Sequence, residues 1–139
     1  MAFLSRVDKH RLYVLRITTL DNTVIYKIGM CNSDRVTDRM MEILRSWFCS
    51  YRYVPTTKLL LNINCIKAKD VEAYMHKLLK FCRYESEYKT DGCTEMFVGI
   101  DETRLVWFIR AITSNYKNCP TDITDDQSTK ICKLLCNSK

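Results

Sequence analysis

Tyr13, Lys27, Arg35, Arg39, Glu72 and His76 are the side chains of this 139-residue chain whose types and spacing can do chemistry. A phenol, an ammonium and two guanidinium groups one helical turn apart make a compact site for a phosphate and a nucleophile. Side chains alternate along a strand, so Lys27 shares a face with Ile25 and Gly29, while Tyr26 sides with Val24 and Ile28. If the apolar runs around Tyr13 and Lys27 pair across a short turn, the phenol and the ammonium come side by side on one sheet face. Arg35 and Arg39, spaced i and i+4, can hold a phosphate as a fork. Glu72 and His76 share the same spacing on another helix. On residue types alone the plainer reading carries more weight: a hairpin with surface Lys and Arg, a solvated Arg-Arg-Glu stripe and a Glu–His surface pair.

Those side chains need an α+β frame, a small mainly antiparallel sheet of three to four strands flanked by helices. Arg11 to Thr18 reads as a central strand, Thr19 to Asn22 as a turn and Thr23 to Met30 as the antiparallel partner. Asn32 or Ser33 can cap a helix running to about Cys49, with Val36, Met40, Ile43, Leu44 and Trp47 toward the sheet. Tyr51-Arg52-Tyr53 interleaves aromatic and basic residues, which can stack on bases or form the packed rim of a loop. Lys58 to Cys65 is a third strand, with Leu59, Leu61 and Ile63 on one face. A second main helix spans Asp70 to about Tyr84, buried through Val71, Met75, Leu78, Leu79 and Cys82. Thr94 to Gly99 is a short fourth strand, and Asp101 caps a helix docked through Leu105, Phe108, Ile109 and Ile112. The main domain is expected over residues 1–116. Residues 117–139 form a linker and a short C-terminal helix opened by a capping box at Thr124 and Gln127, free to pack on the domain or on a second copy.

Composition narrows the class. An apolar fraction of 47% with 27% charged residues and two prolines belongs to a folded chain rather than a linker. No apolar run can span a bilayer and the N-terminus lacks a signal-peptide core, so an intracellular location is expected, without a choice between cytoplasm and nucleus. Eight cysteines without a Cys-x-x-Cys pair signal neither a zinc ribbon nor a secreted disulfide framework, and most read as buried reduced thiols. Cys132 and Cys136 lie one helical turn apart, two ligands that a second chain could complete. The net charge of +6 is uneven: residues 1–58 carry ten Lys and Arg against five acids. A basic half beside a phosphate-reading group suits a nucleic-acid partner, although such an excess also occurs without one.

The stretch Leu12-Tyr13-Val14 … Tyr26-Lys27-Ile28-Gly29 resembles the GIY-YIG nuclease superfamily, in the phage and large-DNA-virus branch whose second motif reads Tyr-Lys-Ile-Gly. Members of that branch are often described only as DNA-binding domains and stand beside Bro-N or KilA-N modules. Four further features of the branch recur in order: Arg39, the helix Glu72-Ala73-Tyr74-Met75-His76, Arg83, and the strand Glu95-Met96-Phe97. The resemblance covers roughly Arg11 to Ile112. The chain departs from the wider superfamily in lacking the first motif's glycine, in carrying Lys27 where a second tyrosine stands, and in having Ile43 where a Tyr or His follows Arg39 by one turn. The first two departures are usual in this branch.

The resemblance implies Mg²⁺- or Mn²⁺-dependent hydrolysis of DNA, with double-stranded DNA the expected partner. Tyr13 would be general base, Lys27 the cation beside it, Arg39 with Arg35 the phosphate stabiliser, Glu72 the metal ligand, and His76 a partner to Glu72. Lys27, Arg35, Arg39, Arg52 and Arg83 would contact nucleic acid. A tyrosine titrates near about 10, so it needs a neighbouring cation to act as a base at neutral pH. Beside this stand two alternatives: a non-catalytic nucleic-acid-binding module of the same fold, and a structural, partner-binding or homo-oligomeric protein. No membrane and no small-molecule cofactor are expected.

Overall fold

The computed structural model describes residues 11–31, 35–65, 67–88, 95–114 and 124–136. Two eight-residue strands, β1 (Arg11–Thr18) and β2 (Val24–Cys31), pair antiparallel around the Thr19–Asn22 turn. Asn22 takes a left-handed conformation there, and the Thr19 carbonyl accepts from its N–H at 2.9 Å. Asn adopts that region at little cost. Strand β3 (Thr56–Asn64) flanks β1 and the short β4 (Met96–Val98) flanks β2, giving the order β3-β1-β2-β4. All three pairings are antiparallel, as expected.

Each sheet face has its own core. Tyr13, Leu15, Ile17 and Ile25 point to one side, where α1 (Val36–Tyr51) covers them through Val36, Ile43 and Trp47. Leu12, Val14, Tyr26 and Ile28 point to the other, against α2 (Ala68–Leu78), α3 (Glu102–Ser114) and α4 (Asp125–Leu135). The period-two alternation therefore separates Tyr13 and Lys27 from Tyr26 as the sequence predicts. On the Tyr26 face, its hydroxyl donates to Glu102 at 3.2 Å, and Arg16 holds the same carboxylate at 2.9 Å. Burial and the Glu102 charge push the Tyr26 phenol up to about 12.

Five expectations need correction. The register of β3 shifts between Val14 and Leu15, so an extra residue at Leu60 turns the strand over. Leu59 consequently packs with Tyr13 and Leu15, while Leu61 and Ile63 pack on the opposite face. The α2 helix stops at Leu78 rather than near Tyr84, and Lys80–Cys82 form a 3₁₀ turn. It also begins at Ala68, and α1 runs on to Tyr51, where Arg52 closes it with a left-handed residue whose N–H donates to the Phe48 carbonyl. The N-cap position of α1 is Arg35, without a side-chain cap; Asn32 and Ser33 lie outside the described residues.

The early end of α2 has a cause in α4. Ser128 donates to the carbonyls of Lys77 (3.0 Å) and Leu78 (2.8 Å), and Cys132 donates to Leu78 at 2.9 Å. The terminal carbonyls of a helix lack intrahelical partners, and here a second helix supplies them. The C-terminal helix thus packs on its own chain, with the expected capping box formed at Thr124 and Gln127. Ser128→Ala should lower unfolding free energy by about 1–2 kcal/mol, since it strands buried acceptors. Thr129→Ala, which only removes an exposed bond within α4, should be near neutral. Urea midpoints of the two variants make the comparison; equal midpoints would refute the capping role.

Candidate active site

Opposite Gly29 stands Tyr13, and opposite Lys27 stands Leu15, so phenol and ammonium are diagonal neighbours rather than a direct pair. They nonetheless meet. The Lys27 Nζ lies over the Tyr13 ring, 5.6 Å from its centroid. A methyl built on Gly29 would come within 2.6 Å of the Tyr13 hydroxyl and 3.0 Å of Lys27 Nζ. Glycine is therefore required at this position for space: its bare Cα forms the floor on which both groups rest.

Lys27 is fully buried and forms an ion pair with Glu95, the residue just before β4. An isolated buried ammonium is costly, so this carboxylate is what permits the burial. Glu95 arrives because Met96 pairs with Lys27 across the β2–β4 ladder.

Among the described residues that ladder ends at Lys27. Beyond it the outward backbone groups of β2 are met by side chains from α2. The N–H of Met30 donates to the Glu72 carboxylate, and the carbonyl of Ile28 lies 2.9 Å from His76 Nε2. A carbonyl only accepts, so Nε2 carries the proton and Nδ1 holds the free lone pair. Glu72, His76 and Glu95 each bring a donor atom within 4.8 Å of the others. Burial and then the neighbouring Glu95 charge push the Glu72 carboxyl up to about 7. Burial holds the His76 imidazole below its ordinary value, and it is therefore a neutral potential ligand. Two carboxylates and a neutral imidazole form a donor set suited to a divalent cation.

The remaining predicted residues lie around this centre. The positive charge of Arg83 acts on His76, and Arg83 bridges to Phe97 of β4. Arg35 and Arg39 do form one stripe on α1, on the Tyr13 side of the sheet, and both hold Glu42, Arg35 at 3.0 Å. Arg52 is exposed at the opposite end of α1, about 25 Å along the axis from Arg35. Next to it Tyr53 accepts from the Leu20 N–H at 3.1 Å in the hairpin turn, and Tyr51 stacks on Trp47 with centroids 4.5 Å apart. These aromatics are the packed rim of a loop. Glu95 was not among the predicted catalytic residues, although its place before Met96-Phe97 was the available signal.

The model of the T5orf172 domain family matches residues 10–113. The chain belongs to this family. T5orf172 domains are phage-associated and fall in an endonuclease-related group. In this T5orf172 domain the match takes in all four strands and α1 to α3, hence every residue of the Tyr13–Glu95 cluster, and it ends before α4. No curated protein and no solved structure matches the chain. Among the described residues no helix is long and apolar enough to cross a membrane.

Proposed function

We propose that the chain is a GIY-YIG-like endonuclease that hydrolyses phosphodiester bonds of DNA with a divalent metal ion, Mg²⁺ or Mn²⁺. The observation that carries this reading is the convergence of Tyr13, Lys27, Glu95, Glu72 and His76 around Gly29 and the C-terminal half of β2. A DNA-binding surface has no use for two carboxylates beside a buried lysine, because acids repel the phosphate backbone. Hydrolysis does have a use for them.

Glu72 and Glu95, with the imidazole of His76, would hold the metal. When bound, the ion would supply positive charge to a phosphate oxygen and to the leaving oxygen. Tyr13, as the phenolate that the neighbouring Lys27 ammonium favours, takes a proton from the attacking water and becomes a neutral phenol. Arg39, with Arg35 beside it, turns from Glu42 toward the phosphate and stabilises its added charge with a planar fork of donors. His76 also fixes the edge of β2 against α2, so that Glu72 approaches at a set height.

Nicking of a supercoiled plasmid tests the reading. Wild-type protein with Mg²⁺ should relax the plasmid, chelator should stop it, and Tyr13→Phe should slow it by at least about 10²-fold, the usual contribution of a positioned base. Full activity in Tyr13→Phe would remove the tyrosine from the chemistry. The occupied state of Arg35 and Arg39 favours a second reading, a binding module without turnover. Salt-sensitive DNA affinity with no nicking in Mg²⁺ or Mn²⁺ would select it.

A further inference from the structure

Three of the eight cysteines meet where α4 crosses the turn that follows α2. Cys82 comes from the 3₁₀ turn; Cys132 lies near the end of α4 and Cys136 is its C-cap residue, four positions on. The sulfur of Cys82 stands 3.3 Å from that of Cys136 and 3.6 Å from that of Cys132. Cys132 is buried and the other two are half-buried. Together with Phe81, Thr129 and Lys133 they line a shallow depression in which, among the described residues, no carboxylate stands.

Three thiolates bound to one Zn²⁺ at about 2.3 Å lie roughly 3.8 Å apart. The Cys82 sulfur already stands near that spacing from both others. Thiolates select soft cations, and a depression without a carboxylate among its described lining residues offers little to Mg²⁺ or Ca²⁺. Half-burial leaves one direction open, in which water can complete a tetrahedron. We propose that Cys82, Cys132 and Cys136 bind a thiophilic d¹⁰ cation such as Zn²⁺, in a centre built from different residues and different chemistry from the Glu72–His76–Glu95 cluster. Binding pins α4 to the end of α2. Cys132 gives up its bond to the Leu78 carbonyl, which Ser128 continues to satisfy. Burial holds all three thiols above their ordinary range, so the ion displaces protons and binding weakens on acidification.

The test uses the full chain, reduced and freed of metal by chelation. Titration with Cd²⁺ should give thiolate-to-metal charge-transfer absorption that saturates at one ion per chain and is displaced by Zn²⁺. The band should vanish in Cys82→Ser and Cys136→Ser and persist in Cys49→Ser, an exposed thiol outside the cluster. Wild-type protein supplies a check independent of folding in the variants: Zn²⁺ should slow alkylation of Cys82 and Cys136 by at least about tenfold, because the coordinated sulfur is no longer a free nucleophile. No band with stoichiometric Cd²⁺, or a band that survives Cys82→Ser, overturns the site. So does loss of free thiols to a Cys82–Cys136 disulfide under glutathione disulfide in protein that shows no band.

Discussion

Glu72→Gln should abolish nicking while making the metal-free protein more stable. The loss of activity follows if Glu72 is a ligand: the charge stabilisation that a metal ion supplies amounts to several kcal/mol, so at least about 10²-fold in rate should disappear. The gain in stability follows from what holds the Glu72 carboxyl at about 7, namely burial and the Glu95 charge. Both disfavour the ionised form in the folded state. A carboxyl raised from 4.5 contributes its stability fully below pH 4.5 and loses it as pH rises through 7. Glutamine has no such loss. In chelator, the variant and the wild type should therefore unfold alike near pH 4.5 and diverge toward pH 8, where the variant is ahead by about 1 kcal/mol after allowance for solvent screening. Thermal melts across that range decide it. A variant less stable than wild type at pH 8 would mean that the Met30 N–H bond outweighs the repulsion. Mg²⁺ should close the gap by stabilising only the wild type.

Gly29→Ala should cost about 1–3 kcal/mol, the range for overpacking a dense interior, and should slow nicking by about 10²-fold through misplacement of the base. The added methyl would come within 2.6 Å of the Tyr13 hydroxyl and 2.8 Å of the ring carbon bearing it. Tyr13 is buried among strand residues and cannot swing clear. Lys27, the flexible neighbour, can. Removing the hydroxyl should relieve part of the clash, so Gly29→Ala ought to cost about 0.5–1 kcal/mol less in a Tyr13→Phe background. Denaturant melts of the four proteins of that cycle give the coupling. Strict additivity would place the strain elsewhere, and the close approach would lose its role in positioning the phenol.

The face of each strand residue was legible in the sequence because it depends only on alternation. Tyr13 and Lys27 against Tyr26 needed no tertiary knowledge, and neither did the stripes of α1 and α3. What escaped was set by distant register. Glu95 precedes a three-residue strand too short to show a pattern, and it reaches Lys27 only through the Met96 pairing, 68 positions along the chain. Leu78, Leu79 and Cys82 continue a helical apolar period, yet α2 stops because Ser128 and Cys132 claim its carbonyls. The bulge at Leu60 breaks an alternation that four apolar residues, Leu59, Leu60, Leu61 and Ile63, could satisfy in more than one way. Cys82 joins Cys132 and Cys136 from 50 and 54 positions away, beyond any local spacing rule.

The contact of Glu72 and His76 with the backbone of β2 past Lys27 has a consequence outside catalysis. An unpaired run of strand is a template on which another chain can extend a sheet, and soluble proteins blunt such runs with charge. Here, among the described residues, the backbone of β2 past Lys27 is met by Glu72 and His76, the same side chains proposed to hold a metal. Selection acting against self-association would preserve both residues whether or not the domain cuts DNA, so their persistence in a relative without nuclease activity would record solubility.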